Sequence, residues 1–289
     1  MNMKESVDSV FNTHHVINCK GQLLDLSYPR VMGILNVTPD SFFDGGKFTD
    51  SKAILKRTGS MIKEGADIID VGGQTSKPGA KTIGIKTELR RVLPAIKAIK
   101  DKFPNQLISI DTYHAEVAYW AVEAGASMVN DISGGNMDKT MLRTVGKLNV
   151  PYVLMHMQGT PSTMQQSPKY KNLMLEILNY LQKRLILAKK SGIKDIIVDP
   201  GFGFGKTLDH NYELLRELDS VKTLGCPILV GLSRKSMIYK HLNISSKDAL
   251  NGTTALNMVA LKNGAKILRV HDVREARETV CLFNKIYLQ

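Results

Sequence analysis

Eight short apolar or β-branched runs recur along the chain, and each of them stops at a polar or glycine-rich segment. They span residues 30–36, 67–72, 107–111, 127–131, 152–157, 195–199, 228–232 and 266–270. Runs of this length with such boundaries are typical of buried β-strands. Between them, apolar positions recur at helical spacing, which predicts helices that each bury one side. Two of these stripes are Leu89, Val92, Leu93, Ile96 and Ile99, and Leu214, Leu215, Leu218 and Val221.

Alternating strands and helices predict an α/β fold with a parallel sheet covered by helices. We expect a closed (β/α)8 TIM barrel, with an open doubly wound sheet as the alternative. Residues 16–27 predict an N-terminal β-hairpin that turns at Lys20-Gly21 and either caps the lower end of the barrel or forms a loose arm. No linker divides the chain, so we predict one domain over residues 1–289, with a flexible tail at 1–15.

Composition narrows the class of protein. The 289 residues are 43% hydrophobic, which is enough for one large core. No apolar run approaches the roughly 20 residues that span a bilayer, and the start of the chain lacks the apolar core of a signal peptide. Cys19, Cys226 and Cys281 lie far apart, without the spacing of a metal or redox site. We therefore expect a cytoplasmic protein with reduced thiols.

The formal net charge of +12 allows two interpretations. A strongly basic protein often binds nucleic acid or an acidic membrane surface. Here the lysines are scattered over predicted helix faces and tails, and only 6% of the residues are aromatic and able to stack on bases. We expect a solvated basic surface that also attracts anionic small molecules, and neither a nucleic-acid nor a membrane partner.

Polar side chains at the ends of the predicted strands carry most of the candidate chemistry. The set comprises Asn36, Asp111, Asn130, Asp131, His156, Asp199, Lys235, Arg269, His271 and Asp272. A single aspartate such as Asp131 or Asp272 is more often a helix N-cap than a catalyst, and a single histidine such as His156 is more often a packed barrel residue. Closure of a barrel, however, would bring the whole set around one cavity, which indicates a site.

One part of this set suits a flat heterocycle. The carboxylates of Asp111 and Asp199, together with the amide of Asn130, can accept hydrogen bonds from several ring N–H groups. Lys235 can donate to a ring carbonyl oxygen. The alternative interpretation of Asp199 and Lys235 is a purely structural ion pair inside the barrel.

A second part suits an anionic group. Arg269, His271 and the hydroxyl-bearing loop at 75–77 favour phosphate. Asn36 offers a hard oxygen ligand of the kind that Mg²⁺ accepts beside phosphate and water. The sequence therefore predicts a heterocycle and a phosphate group in the same bowl.

Two further motifs could be mistaken for ligand sites. GFGFGKT at 201–207 resembles a nucleotide phosphate loop, but the Walker pattern needs a glycine where Pro200 stands. We expect these glycines to let the loop bend tightly instead. His14 and His15 have no partner at metal-ligand spacing, and we assign them to the tail.

Eight motifs in order along the chain resemble those of the dihydropteroate synthases. They are GILNVTPDSFFDGG, DIIDVGGQTSKPGA, SIDTY, VNDISGG, MHMQGTP, DPGFGFGKT, GLSRKS and RVHDV, and the resemblance covers residues 16–285. It implies a TIM barrel, usually a homodimer, that is a target of sulfonamides. It also implies a transferase of folate biosynthesis that joins (7,8-dihydropterin-6-yl)methyl diphosphate to 4-aminobenzoate. The products would be 7,8-dihydropteroate and pyrophosphate, with Mg²⁺ as the cofactor.

The resemblance also implies roles for individual residues. Asn36 would bind Mg²⁺. The pterin ring would be held by Asp111, Asn130, Asp199 and Lys235. The diphosphate side of that substrate would be held by Ser76, Arg269 and His271, with Arg269 also beside the ring. Phe42 and Ser236 would contact 4-aminobenzoate. The residues expected to act in catalysis are Asp111, Lys235 and Arg269.

The second loop departs from the family pattern Gly-Gly-Glu-Ser-Thr-Arg-Pro-Gly. In this chain, Gln74 replaces the glutamate and Lys77 replaces the arginine, so a carboxylate and a forked guanidinium are both missing. Two alternatives to the synthase remain. One is a methyltransferase barrel with a similar pterin pocket, which should lack the paired loops at 37–48 and 74–85. The other is a basic RNA-binding protein, whose binding would weaken steeply with salt.

Overall fold

An antiparallel hairpin precedes the barrel. The computed structural model describes residues 16–38, 51–74 and 82–288, so the predicted tail at 1–15 lies outside the described residues. Strand β1 (Val16–Cys19) pairs with β2 (Gln22–Asp25). Lys20 and Gly21 form the turn with φ angles of 55° and 94°, which confirms the turn predicted from the sequence. Left-handed conformation at both central residues suits the twist of a two-residue hairpin.

Eight parallel strands then close into a barrel, which confirms the TIM-barrel prediction and excludes the open sheet. The strands are β3 (Arg30–Asn36), β4 (Ile68–Gly72), β5 (Leu107–Asp111), β6 (Met128–Asp131), β7 (Tyr152–Met155), β8 (Ile196–Asp199), β9 (Ile228–Val230) and β10 (Ala265–Val270). Strand β10 pairs with both β3 and β9, and this pairing completes the ring.

Helices follow the strands and cover the outside of the barrel. They are α1 (Ser51–Lys63), α2 (Ile85–Lys102), α3 (Ala115–Glu123), α4 (Met141–Leu148), α5 (Leu173–Lys190), α6 (Leu208–Arg216), α7 (Ser236–Tyr239), α8 (Leu250–Lys262) and α9 (Val273–Tyr287). None of the described helices is both long and apolar enough to cross a membrane.

The predicted helical stripes face the core. In α2, Val92, Ile96 and Ile99 are fully buried against the strands. The second stripe is also buried but is divided between two elements, because α6 ends at Arg216 and a 3₁₀ helix continues at Leu218–Leu224. These stripes carry the packing of the outer layer and no chemistry.

The barrel interior is apolar at one end and polar at the other. Residues near the amino ends of the strands form an apolar floor, for example Met32, Ile68 and Leu107. The hairpin packs its buried side chains, which include Ile17 and Leu26, against this floor. The hairpin is therefore a cap of the lower end and not a loose arm, and the opposite, carboxyl rim is the end that holds the polar residues.

Candidate active site

Strand register places three of the predicted residues, Asn36, Asp111 and Asn130, in one row at the carboxyl rim, with Gly72 between the first two. Asn36 is in register with Gly72, Gly72 with Asp111, and Asp111 with Asn130. A Cβ atom on Gly72 would lie 3.4 Å from Asn36 Oδ1 and 3.6 Å from Asp111 Oδ2. The missing side chain therefore leaves open space between these two oxygens, at the mouth of the barrel.

Arg269 of β10 crosses the barrel to bind two carboxylates. Its Nε donates to Asp70 Oδ2 at 2.6 Å, and its terminal nitrogen Nη2 donates to Asp111 Oδ2 at 2.7 Å. Asn130 Nδ2 donates to the same Asp70 oxygen at 3.0 Å. Asp70 Oδ1 is buried without a hydrogen-bond partner among the described residues. This Arg269 cluster (Asp70, Asp111, Asn130 and Arg269) fixes the guanidinium plane at the centre of the bowl.

Burial and mutual attraction set the charges in this cluster. Burial raises the pKa of Asp111, Arg269 lowers it, and the nearby carboxylate of Asp70 raises it further. Burial lowers the pKa of Arg269, but the carboxylates of Asp70 and Asp111 outweigh that effect and raise it. The guanidinium stays protonated, and it favours the ionised form of the carboxylates around it.

Asp199 and Lys235 lie on the far side of the bowl. The ammonium group of Lys235 donates to the carbonyl of Phe202 and lies 4.7 Å from the centre of the Phe204 ring. Asp199 Oδ1 accepts from the backbone N–H of Gly201 at 2.7 Å. The described residues do not join Asp199 and Lys235 in a direct ion pair, so the structural ion pair considered from the sequence is not formed.

Burial perturbs both of these groups. The pKa of Lys235 is about 8, because the lowering effect of burial outweighs the raising effect of the Asp199 carboxylate. Burial raises the pKa of Asp199, which Lys235 partly opposes. A lysine and a carboxylate that are held close without direct contact can both reach a ligand between them.

His271 lies at the end of β10, beside the loop that follows β9. Its Nδ1 is 3.0 Å from Ser233 Oγ. Burial, with a smaller contribution from the neighbouring Arg269, lowers the pKa of His271 to about 4, so the imidazole is neutral near pH 7 and can donate one hydrogen bond. Ser236 begins helix α7, one residue after Lys235.

The interpretation of Asp272 as a helix cap is wrong. It precedes α9, but its side chain makes no capping hydrogen bond. Instead, its two oxygens accept from Nε and a terminal nitrogen of Arg234, both at 2.8 Å. This bidentate pair joins the loop after β9 to the loop after β10, and it thereby holds Lys235 and His271 on neighbouring segments.

Asp131 and His156 also have particular local roles. Asp131 is buried, and its carboxylate accepts from the backbone N–H groups of Ser133 and Gly135 and from the hydroxyl of Tyr152. It therefore stabilises the turn after β6. His156 is 5% exposed and contacts a lysine ammonium. The interpretation of Asp131 as a helix cap is wrong, because the next helix begins ten residues later at Met141, whereas His156 is a packed barrel residue as expected.

Comparison with known proteins identifies the family. A model of the pterin binding enzymes matches residues 32–271. A dihydropteroate synthase of Clostridium beijerinckii is 48% identical over 85% of this chain and 89% of its own length. The Yersinia pestis dihydropteroate synthase, solved in a sulfonamide drug complex, superposes with a TM-score of 0.90 at 40% identity, covering 95% of this chain and all of that one.

The chain belongs to the dihydropteroate synthase family. It is accordingly a transferase, and the family assignment favours the synthase over the methyltransferase and RNA-binding alternatives. A third relative, the Xanthomonas albilineans dihydropteroate synthase with 4-aminobenzoic acid, has a TM-score of 0.88 at 38% identity and covers 94% of this chain and 98% of that one.

Part of the site expected of a dihydropteroate synthase lies outside the described residues. Phe42 falls in the undescribed segment 39–50, and Ser76 and Lys77 fall in 75–81. Gln74 is the last described residue before the second gap. Its Oε1 accepts from the hydroxyl of Tyr113 at 2.9 Å, and its Nε2 approaches Glu88 Oε2 at 3.4 Å.

Sequence reasoning missed two buried charged residues at this rim. Asp70 lies within the apolar run of β4, and a carboxylate inside a buried strand is a signal that could have been used. Lys206 follows the loop glycines and is 3% exposed. A single lysine after a glycine-rich loop gives no such signal, because most lysines are solvated.

Proposed function

We propose that the bowl at the carboxyl rim is where this protein joins (7,8-dihydropterin-6-yl)methyl diphosphate to 4-aminobenzoate. The observation that carries the proposal is the Arg269 cluster, in which a half-buried guanidinium is shared by Asp70 and Asp111 at the level of Asn130. The relatives solved with 4-aminobenzoic acid and with a sulfonamide drug support the same ligand classes for this chain, and a sulfonamide would compete for the aminobenzoate position.

The pterin ring would lie between the two sides of the bowl. Asp111, Asn130 and Asp199 supply acceptors and one amide for ring N–H groups and ring nitrogens. Lys235 supplies a donor for the ring carbonyl. Arg269 would flank the ring with its planar guanidinium, a geometry that favours stacking on a flat heterocycle. This arrangement supports pterin at the inner part of the site.

The diphosphate would lie nearer the mouth, between Arg269, His271 and the segment that contains Ser76. The amide oxygen Asn36 Oδ1 borders the space left by the missing side chain of Gly72 and would be the protein ligand of Mg²⁺. The described residues include no group of three His, Cys, Asp or Glu side chains placed to hold a metal. The donor set therefore fits an ion that takes its other ligands from diphosphate and water. When bound, Mg²⁺ would neutralise charge on the leaving group.

The residues of the bowl suit a dissociative substitution. The bond between the pterin methylene carbon and the diphosphate oxygen breaks, and pyrophosphate leaves with the electron pair while Arg269 and His271 hold it. The carboxylate of Asp111 stabilises the positive charge that spreads into the pterin ring. The amine of 4-aminobenzoate then forms the C–N bond and releases its proton to solvent. Ser236 and Phe42 would orient the aminobenzoate, and the loops at 37–48 and 74–85 would exclude water.

A pyrophosphate-release assay tests this function. Release should require both substrates and should fall when Mg²⁺ is removed with EDTA. Asp111→Asn should lower kcat on the order of 100-fold while the pterin Kd changes by only a few fold, because the lost charge acts mainly on the cation. Asp101→Asn, an exposed carboxylate at the end of α2, is the control. Loss of binding and turnover in equal measure would contradict the cation-stabilising role, and product formation without 4-aminobenzoate would contradict the reaction.

We further propose a cytoplasmic homodimer. The three cysteines are free thiols, two of them buried, which suits a reducing compartment. Val259 of α8 and Leu282 and Ile286 of α9 are 40–62% exposed apolar side chains on helices that pack together. Burial of such a surface by a second copy would stabilise a dimer. Light scattering coupled to gel filtration should give twice the 32.0 kDa chain mass, and a monomer mass at micromolar concentration would contradict it.

A further inference from the structure

The loop after β8 turns its backbone carbonyls toward side-chain donors. Three glycines, Gly201, Gly203 and Gly205, have φ angles of 74°, 78° and 65°. A Cβ atom on Gly201 would lie 1.9 Å from the carbonyl oxygen of His156, so only glycine fits there. The glycines therefore let the loop fold back on itself, as the sequence predicted.

Lys206 is the residue that the loop closes around. Its Nζ donates to the carbonyl of Gly201 at 2.9 Å and to that of Phe204 at 3.2 Å, and it lies 3.0 Å from His156 Nδ1. Burial lowers the pKa of Lys206 to about 7, and in its protonated form the ammonium group has three protons, one for each of these acceptors. None of the three is a carboxylate. Lys206 is therefore held by two backbone carbonyls and an imidazole nitrogen, without a direct ion pair among the described residues.

The same loop faces the pterin side of the bowl. Between the two carbonyls bound by Lys206 lies that of Phe202, which accepts from Lys235. The ring of Phe204 lies 4.7 Å from the Lys235 ammonium. Asp199, at the start of the loop, is held by the N–H of Gly201. The two lysines thus bind carbonyls of the same short loop, Lys206 those of Gly201 and Phe204 and Lys235 that of Phe202.

We propose that Lys206, seated on His156, is a positioning residue for the pterin site. It fixes the 201–205 loop so that the Phe202 carbonyl and the Phe204 ring direct the Lys235 ammonium toward the pterin carbonyl. The inference rests on the proposed function, because it assigns Lys235 to the pterin. Lys206 itself touches no substrate and acts only through the loop.

His156 is suited to this role because it is neutral. Burial, with a smaller contribution from the Lys206 ammonium, lowers its pKa to about 2. A neutral imidazole that accepts at Nδ1 carries its proton on Nε2, so the hydrogen bond to Lys206 selects one tautomer. Replacement by asparagine would leave an acceptor oxygen near the position of Nδ1, whereas leucine would leave a methyl group there.

Removal of the Lys206 ammonium tests the proposal. Lys206→Met keeps the apolar stem and leaves two carbonyls without a donor. We expect the Kd of a non-reactive pterin, measured by calorimetric titration, to rise at least tenfold. The Kd of inorganic pyrophosphate with Mg²⁺ should stay within twofold, because His271 and Arg269 are bound to other segments. Lys183→Met, on the exposed side of α5, is the matched control and should change neither Kd.

Each result then supports or overturns the positioning role. A pterin Kd within twofold of that of the unmodified protein would overturn it, and so would an equal weakening of pterin and pyrophosphate. Should Lys206→Met not fold, His156→Leu and His156→Asn answer the same question. Leucine should weaken pterin binding at least fivefold more than asparagine, and equal effects would overturn the proposal. If the unmodified protein binds no pterin, the proposed function fails instead.

Discussion

At the scale of single residues, the bowl is organised by buried charges that neutralise one another. Arg269 is held by Asp70 and Asp111, and Asp70 is fully buried. Removing one partner of such a group leaves an uncompensated buried charge, which costs more than the pair itself contributes. Asp70 is therefore as important to the geometry of Arg269 as Asp111 is. It lies deeper in the barrel, two residues before the position that is in register with Asp111.

Asp70→Asn should lower both stability and activity. The amide keeps the size of the side chain but removes the charge that balances Arg269, so we expect a loss of about 3 kcal/mol in the free energy of unfolding. The kcat/KM should fall on the order of 100-fold, because a guanidinium that shifts no longer faces the leaving group. Denaturant titration and the pyrophosphate assay measure the two effects.

Asp67→Asn is the matched control for this change. Asp67 pairs with Arg30 and Arg277 at the amino ends of the strands, on the side of the barrel opposite to the bowl. It should lose stability without loss of kcat/KM at temperatures where it is folded. Equal kcat/KM losses in the two variants would show that Asp70 has no particular role in the site.

Gln74 illustrates how one amide can satisfy two different neighbours. It accepts from Tyr113 and approaches Glu88, whose Oε2 also lies 2.8 Å from His114 Nδ1. A glutamate at this position, as in the family pattern, could not donate to Glu88. The glutamine that departs from the family pattern thus lies beside a buried acceptor, the carboxylate of Glu88. The sequence alone did not reveal this contact.

Gln74→Glu should make stability fall as pH rises. A new carboxylate beside the buried Glu88 has its pKa raised in the folded protein by like charge. The stability of the variant relative to the unmodified protein is therefore retained below about pH 4 and lost above it, by about 1–3 kcal/mol. Thermal unfolding between pH 4 and pH 8 measures this, with the exposed Gln182→Glu as control. Parallel curves for the two variants would contradict it.

At the scale of elements, the strands and helices follow from local pattern. Each barrel strand is buried on both faces, so its sequence is an almost continuous apolar run, and each helix shows one apolar stripe. The predicted strand bounds therefore agree with the structure to within two residues. The role of the hairpin could not be predicted in this way, because its apolar side chains pack against strands that follow it in the chain.

Ile17→Ala should destabilise the protein without affecting catalysis. Ile17 is 1% exposed and packs in the barrel floor, so its truncation should cost about 2–4 kcal/mol. The kcat/KM should be unchanged, because the floor and the bowl are at opposite ends of the barrel. Leu23→Ala, which removes a 68% exposed side chain from the same hairpin, should cost less than about 0.5 kcal/mol. Equal losses would show that the hairpin does not pack on the floor in solution.

At the scale of the whole molecule, the two ends of the barrel divide stability from function. The floor is apolar and closed by the hairpin, whereas the rim contains buried lysine, histidine and aspartate side chains and the half-buried Arg269. Buried ionisable groups make stability depend on pH, because their pKa values differ between the folded and unfolded states. The rim should therefore dominate the pH dependence of unfolding.

Stability should decrease as the pH falls below about 6.5. His156 has a pKa of about 2 in the folded protein, against an ordinary value of 6.5, so the unfolded chain binds the proton first as the pH falls. The free energy of unfolding is unaffected by this difference above about pH 6.5. As the pH falls below that value, it decreases by up to about 1.4 kcal/mol per pH unit. His156→Asn should flatten this part of the curve, and the exposed His241→Asn should not. Identical slopes in both variants would contradict the assignment.

The sequence by itself determined the alternation of strands and helices, the ends of the strands and the type of chemistry at each end. These features depend on neighbours within a few positions, so local periodicity is sufficient to predict them. Only the tertiary structure decided that Arg269 binds Asp70, 199 positions away, and that Lys206 turns inward to His156. Such contacts form only when the barrel closes, because closure alone fixes which distant side chains share the space at the rim and which of them are removed from water.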